Sequence, residues 1–442
     1  MSRQNAEVGQ TVTAPRTSTS HQHPARSTPH RALLLGYGRI GQAVAAVAFR
    51  ERDRLRAAGV ELQPVRALVR DVNKPRSGPV IPLVTHDQSL FGDDLDVVVE
   101  ALGGVEPART LVTRALRAGL PVVSANKSLV AAHGPELRAL AARYATTFAC
   151  DGAVLAGVPF LGSLARRPLV AAARRIEGIL NGTSHVIVTA LAQGASFVDA
   201  LADALEHGYA EPDSAADVSG RDAAEKLTVL LHLAGCEDVR VDDLPVLGLE
   251  MLETGDLAAA TRLGGAIKPI VLASLDPDAA GAWVGPAFVA EEHPFARLTG
   301  VTNALRLFTA AGTCTFSGPG AGPDVTAHTI VDDVVEAVTG GPAWPVGDAR
   351  ARVDVTREAL RQPPPASWFL RIASGSDIDR ADVAELLASH RVPALRIDGH
   401  SGHVTALTAP ASWPEAREVV EILRASCARV LTVPALAGGA GE

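Results

Sequence analysis

No uninterrupted apolar run in this chain approaches the roughly 18 residues that a membrane-spanning helix needs, and no run of Lys and Arg stands out. The N-terminal stretch lacks the apolar segment of a secretory signal. With a net charge of -8 and a pI near 5.9 there is no positive field for nucleic acid or an anionic membrane, so neither is expected as a partner. Cysteine is scarce: Cys150, Cys236, Cys314 and Cys427 lie far apart, which gives neither a paired zinc spacing nor a disulfide framework. A soluble protein of the reducing cytoplasm, acting on a small molecule, is the expectation. Residues 1–30 hold almost no large apolar side chains and are expected to form a disordered tail, because they bury too little to offset ordering.

Apolar residues make up 47% of the 442, ample for burial, and a prior of roughly 150 residues per domain suggests about three domains. A short apolar strand, Ala32 to Leu35, runs into Gly36-Tyr37-Gly38-Arg39-Ile40-Gly41 and then a helix whose inner face is Ile40, Val44, Val47 and Ala48. Further strands are expected at Val65 to Val69, Asp96 to Val99, Pro121 to Ser124 and Thr147 to Cys150, with helices near 106–118 and 134–145. Apolar strands alternating with helices indicate an α/β class with a parallel, doubly wound sheet over 31–155. From 156 to 310 longer helices mix with short strands, an α+β pattern that includes an amphipathic helix from Asp222 to Leu233. A Pro-rich break at Gln362-Pro363-Pro364-Pro365 ends an expected linker over 351–366. The tail over 367–436 then reads strand, helix, strand, strand, helix, strand, the βαββαβ order of a ferredoxin-like unit.

Several residues carry chemistry. In the glycine-rich turn, Gly36 permits a tight turn, Gly38 lets a pyrophosphate approach the backbone and Gly41 allows close packing of helix on strand; a plain turn without ligand is the competing reading. Arg70, at the end of the second strand and near Lys74 and Arg76, stands where a cation would receive the 2′-phosphate of NADP, although a solvated basic loop has the same appearance. Ser124-Ala125-Asn126-Lys127 follows a strand's carboxyl end, where doubly wound sheets place ligands; taken alone, Lys127 reads as a surface residue. Asp222 and Lys226 are four apart on one helix face, which suits an ordinary ion pair or a carboxylate held for proton transfer.

Taken together, these segments resemble the homoserine dehydrogenase family from residue 32 to about 340. The matching stretches are Gly36 to Gly41, Val99-Glu100-Ala101-Leu102-Gly103-Gly104, Ala125-Asn126-Lys127, Ile176 to Thr183, Gly208 to Lys226, and Gly318-Pro319-Gly320-Ala321-Gly322. The resemblance implies a Rossmann-type domain over 31–155, completed by about 311–350, a substrate-binding and dimerisation domain over 156–310, and a homodimer. It implies interconversion of aspartate 4-semialdehyde and homoserine in threonine and methionine biosynthesis, with NADP(H) favoured over NAD(H). Lys127, Asp222 and Lys226 look like the catalytic group. Gly182, Thr183, Tyr209, Glu211 and Asp217 join Asp222 and Lys226 in the substrate site, with Glu211 suited to the amino group. Gly36, Gly38, Arg39, Ile40, Gly41, Arg70, Ser124, Lys127 and Gly322 would touch the cofactor. The 367–436 unit resembles an ACT domain, which implies threonine as an effector.

Two stretches depart from the family pattern. Where relatives carry Glu-Ala-x-Val-Gly, in a region able to hold sodium, this chain has Asp151 to Val158; Asp151 with the carbonyls of Val154, Ala156 and Val158 could still hold the ion. Where relatives carry Asn-Tyr, this chain has His185-Val186. These departures leave open a paralogous dehydrogenase of another amino-acid semialdehyde; a non-catalytic ligand sensor built on the nucleotide fold and the ACT-like tail is a second alternative, against which the joint presence of Lys127, Asp222 and Lys226 argues.

Overall fold

The computed structural model describes residues 29–85, 90–158, 173–210, 213–320, 322–340, 354–373, 379–400, 403–426 and 429–437. The expected tail up to residue 28, Glu211, Ala321, Cys427 and the loop Ser374 to Asp377 lie outside the described residues.

Two sheets organise the chain. The first holds β1 (His30–Leu35), β2 (Leu62–Leu68), β3 (Leu83–Val84), β4 (Val97–Glu100), β5 (Val122–Ser124) and β6 (Phe148–Ala149), all parallel, in the order β3-β2-β1-β4-β5-β6. β4 reads Val-Val-Val-Glu and is buried throughout, the pattern of a strand covered on both faces. The helices are α1 (Arg39–Arg50), α2 (Arg52–Ala57), α3 (Ala108–Arg117), α4 (Lys127–Arg143), α5 (Gly182–Ala192), α6 (Phe197–Glu206), α7 (Ala215–Val218), α8 (Arg221–Leu233), α9 (Thr254–Arg262), α10 (Pro323–Val338), α11 (Arg380–Ser389) and α12 (Trp413–Ala425). Helix α10 returns from the second sheet to the first, where Ala327, Ile330, Val331 and Val334 share a core with Leu34, Val44 and Val47.

Helix α4 begins two turns before the expected residue 134. The Asn126 side chain accepts the Leu129 N–H at 3.1 Å and caps the helix there. Gly134-Pro135, which looks like a helix start in sequence, sits in the helix interior. The consequence is functional, because Lys127 becomes the first residue of a helix rather than part of a loop.

The second sheet is mixed and nine-stranded: β7 (Ala173–Ile179), β8 (Gly265–Ser274), β9 (Gly281–Ala290), β10 (Thr302–Thr309), β11 (Gly312–Pro319), β12 (Ser367–Ala373), β13 (Ala394–His400), β14 (His403–Thr408) and β15 (Arg429–Leu436), in the order β11-β10-β7-β8-β9-β15-β12-β14-β13. The four C-terminal strands are therefore not a separate body on a tether. β15 pairs in parallel with β9 through Ala435 with Phe288 and Leu436 with Val289, covering an edge that would otherwise leave backbone groups unpaired. Phe369 stacks on Phe288 across this seam at 6.0 Å. The described part of the expected linker, 354–366, is also anchored. Arg357 and Arg361 both bind the buried Asp243, at 2.5 and 2.9 Å, and Gln362 O accepts the Ala282 N–H at 2.8 Å.

Candidate active site

The glycine-rich turn crosses the carboxyl end of β1. Gly36 has φ +101°, and a Cβ there would lie 2.6 Å from the Ala101 carbonyl oxygen. A Cβ at Gly41 would lie 2.2 Å from the Gly36 oxygen, so helix and turn touch backbone to backbone. At Gly38 a Cβ would meet no protein atom within 4 Å. Helix α1 starts at this open position with no side-chain cap and no acidic residue in its first turn, which leaves amides and positive dipole for an anion. Turn and helix start thus fit a dinucleotide's pyrophosphate.

The loop after β2 folds back on the turn. The Arg76 guanidinium donates to the carbonyls of Tyr37, Lys74 and Asp71 at 3.1, 2.8 and 2.8 Å, so it holds the loop together. Asp71 accepts the Asn73 N–H at 2.8 Å in a local turn. Arg70 and Lys74 are exposed.

Glu100, at the end of β4, links this region to Lys127. Its fully buried carboxylate accepts from Ser124 Oγ at 2.6 Å, Leu102 N at 2.8 Å and Asn126 Nδ2 at 3.2 Å, and burial pushes its pKa up against these bonds. Asn126 also donates to Gly104 O at 2.6 Å. Ser124, expected beside the cofactor, has no exposed surface here and donates its hydroxyl to Glu100. Sequence reasoning passed over Glu100 because a charged residue ending an apolar strand carries no periodic signal.

Helices α4 and α8 bring the three expected catalytic residues together. Lys127 Nζ lies 3.2 Å from Asp222 Oδ1, and Lys226 Nζ lies 2.9 Å from Asp222 Oδ2. Lys226 donates as well to the Leu180 carbonyl at 2.7 Å. Ser128 donates to both Glu225 oxygens, at 3.1 and 3.0 Å, and so pins the two helices. Burial alone would push the Asp222 carboxyl up, but Lys226, Lys127 and a hydrogen bond from Asn181 hold it down, at about 2. Burial works against the Lys127 ammonium, yet Asp222, Glu225 and Asp217 outweigh it and raise the lysine. Lys127 keeps 38% of its side chain exposed against 8% for Asp222 and 12% for Lys226, so it stands at the mouth with the pair beneath it.

The expected substrate residues surround this group. Thr183 Oγ1 donates to the Tyr209 carbonyl at 2.6 Å, and the half-exposed Tyr209 ring stacks on His207 at 6.1 Å. Gly182 opens α5, and burial raises Asp217. Asn181, which sequence reasoning did not single out, donates to both Asp217 and Asp222 at 2.7 Å. His185 faces away from the group: its ring nitrogens lie 3.0 Å from Thr302 O and 3.1 Å from Leu298 O, and burial, with Lys268 nearby, lowers it to about 4. Being neutral, the ring has one N–H and donates to one of these two carbonyls, which ties it to the 298–302 segment.

The residues expected to hold sodium follow β6, where a Cβ at Gly152 would lie 3.5 Å from the Ala125 side chain. Asp151 is buried, its N–H donates to Asp333 Oδ2 at 3.0 Å, and its charge raises Asp333 after burial. Val154 and Val158 are buried, and the Ala156 carbonyl accepts from Thr329 Oγ1 at 2.5 Å. Gly157 packs on Pro319 and Gly318 on Val158, which sets Gly322 at the head of α10 beside this segment.

Comparisons with known proteins agree with this geometry. A family model described as homoserine dehydrogenase, NAD binding domain, matches residues 36–151, and one described as homoserine dehydrogenase matches 159–335. The homoserine dehydrogenase of Corynebacterium glutamicum is 36% identical over 314 residues, covering 69% of this chain and 71% of that protein. That of Synechocystis is 35% identical over 69% of this chain and 72% of that protein. The crystal structure of a homoserine dehydrogenase from Thiobacillus denitrificans superposes with a TM-score of 0.80 at 29% identity, covering 93% of this chain and 99% of that one. The pairing of Lys127 with Asp222 and Lys226 beneath a dinucleotide-type turn is thus met in a chain that belongs to the homoserine dehydrogenase family of NAD(P)-dependent oxidoreductases.

Proposed function

We propose that this enzyme interconverts aspartate 4-semialdehyde and homoserine with Lys127, Asp222 and Lys226 as its proton-handling group. The observation that carries this assignment is the two-sided pairing of Asp222, one oxygen to each lysine. The nicotinamide cofactor, when bound, supplies the hydride to the aldehyde carbon or takes it back. In the reducing direction the Lys127 ammonium stabilises the negative charge that develops on the substrate oxygen and gives it a proton, and its exposed position lets solvent restore that proton. In the oxidising direction the same atoms run backwards, and neutral Lys127 accepts the hydroxyl proton. Asp222 stays ionised throughout and, with Lys226, orients the hydroxyl. Gly182, Thr183, Tyr209, Asp217 and Glu211 form the rest of the substrate site.

Gly36, Gly38, Arg39, Ile40, Gly41, Ser124, Lys127 and Gly322 hold the cofactor, with Glu100 fixing the Ser124 hydroxyl. NADP is the favoured form. The support is an exposed Arg70 next to an Asp71 already engaged in its own turn. A sodium ion held by Asp151 and the carbonyls of Val154, Ala156 and Val158 would offset the buried Asp151–Asp333 charge, the one feature that favours it. The C-terminal unit is ACT-like, on the support of its βαββαβ order and its β15-β12-β14-β13 strand arrangement, and threonine is its proposed effector. The enzyme works as a cytoplasmic homodimer in threonine and methionine biosynthesis.

The test is steady-state oxidation of homoserine with NADP and NAD side by side, with threonine as a variable, in the wild type and in Lys127→Ala. Lys127→Ala should lower kcat by about 100-fold or more while cofactor affinity stays nearly unchanged. Unchanged turnover would remove Lys127 from the mechanism.

A further inference from the structure

Asn181, at the end of β7 and one residue before α5, is 6% exposed and uses every hydrogen-bonding atom of its side chain. Its Oδ1 accepts the Ser184 N–H at 2.7 Å, and its Nδ2 donates one hydrogen to Asp217 Oδ1 and the other to Asp222 Oδ2, each at 2.7 Å. One amide therefore ties α5, α7 and α8 together.

Two carboxylates bound to one nitrogen repel, and burial makes the repulsion stronger. The other charges facing them are Lys127 from α4 and Lys226 from α8, and Glu225 of α8 acts in turn on Lys127. Both lysines lie against Asp222. Among the described residues no cation stands within salt-bridge distance of Asp217, so its direct side-chain donor is Asn181. We propose that Asn181 is the positioning residue that keeps both carboxylates ionised and divides their work, Asp222 toward the lysines and the reacting oxygen, Asp217 toward a cationic group of the substrate. This inference rests on the roles given above to Asp222 and Asp217.

Capping α5 is the competing role, and two substitutions separate it. Ser and Asp are both good N-caps, so Asn181→Ser and Asn181→Asp keep an acceptor for Ser184; Asp removes both amide donors, and Ser replaces them with a single hydroxyl on a shorter side chain that cannot serve both carboxylates. A residue that only caps would tolerate either change. As a positioning residue, Asn181→Ser should lower kcat/KM for homoserine by about 100-fold with cofactor Kd within about twofold. Asn181→Asp brings a third carboxylate to the pair and should also move the acidic limb of the kcat/KM profile up by about one pH unit. Should Asn181→Asp fail to fold, Asn181→Ser carries the test through the same limb, which loss of the donor also moves upward. Activity within about threefold of wild type in either folded variant, or an acidic limb that moves in neither, overturns the proposal. Asp222→Asn assayed in parallel tells the two failures apart: if it is fully active the reading of the site is wrong, and if it alone is inactive only the role of Asn181 is.

Discussion

Asp222→Asn is the most informative single change, because it keeps the shape of the side chain and removes the charge that two lysines share. The folded carboxyl sits at about 2 against an ordinary value of 3.8. That lowering, at about 1.4 kcal/mol for each tenfold change in the ionisation equilibrium, corresponds to about 2 kcal/mol of stability. Since the folded pKa is the lower one, this contribution is complete above 3.8 and is lost as pH falls through about 2. Removing the charge also leaves two ammonium groups facing each other, so the net loss at pH 7 should reach about 3 kcal/mol. Denaturant unfolding of the two proteins at pH 7 should show that gap, and it should narrow as the pH is lowered from 4 toward 2. Homoserine oxidation should fall by about 100-fold or more, with cofactor binding, followed by fluorescence, kept within about twofold. Equal stability at pH 7 together with near-normal turnover would refute both the ion-pair energetics and the catalytic assignment.

Other outcomes follow from the same geometry. Gly38→Ala should leave thermal stability unchanged, since its Cβ meets nothing within 4 Å, yet raise the KM for cofactor, whereas Gly36→Ala should destabilise the fold by about 1–3 kcal/mol through backbone strain. Arg70→Ala should cut kcat/KM with NADP by about tenfold and leave NAD nearly unaffected; equal losses would remove Arg70 from cofactor discrimination. The rate of semialdehyde reduction should persist with rising pH and fall only above an ordinary lysine value, because Lys127 is raised, and a limb at or below that value would contradict its role as proton donor. Asp243→Ala should free the 354–366 strap at a cost of about 1–3 kcal/mol and make it sensitive to proteolysis, with homoserine oxidation largely preserved.

Much of the first sheet was legible along the chain. Val-Val-Val-Glu and Leu-Leu-Leu before a glycine turn announce buried parallel strands, and Asp222 and Lys226, four apart, announce one helix face. The start of α4 was not legible, because Pro135 imitates a helix beginning while the true cap, Asn126, stands nine residues earlier. At His185 the sequence left a packing role and a change to the substrate pocket open, and the Leu298 and Thr302 carbonyls on either side of the ring favour packing. The 351–366 segment is expected to be a linker, and Asp243, through Arg357 and Arg361, turns its described part into a strap.

Local patterns thus determined which segments became strands, turns and helices, since burial periodicity and backbone sterics act over a few residues. Tertiary structure decided the rest. Lys127 meets Asp222 across 95 positions of sequence, Asn181 reaches across 36 and 41 to its two carboxylates, and β15 closes on β9 from the far end of the chain. The ionisation of Asp222 and Lys127 follows from those meetings, because charge stabilisation in a buried site depends on what stands within a few ångströms and not on sequence separation.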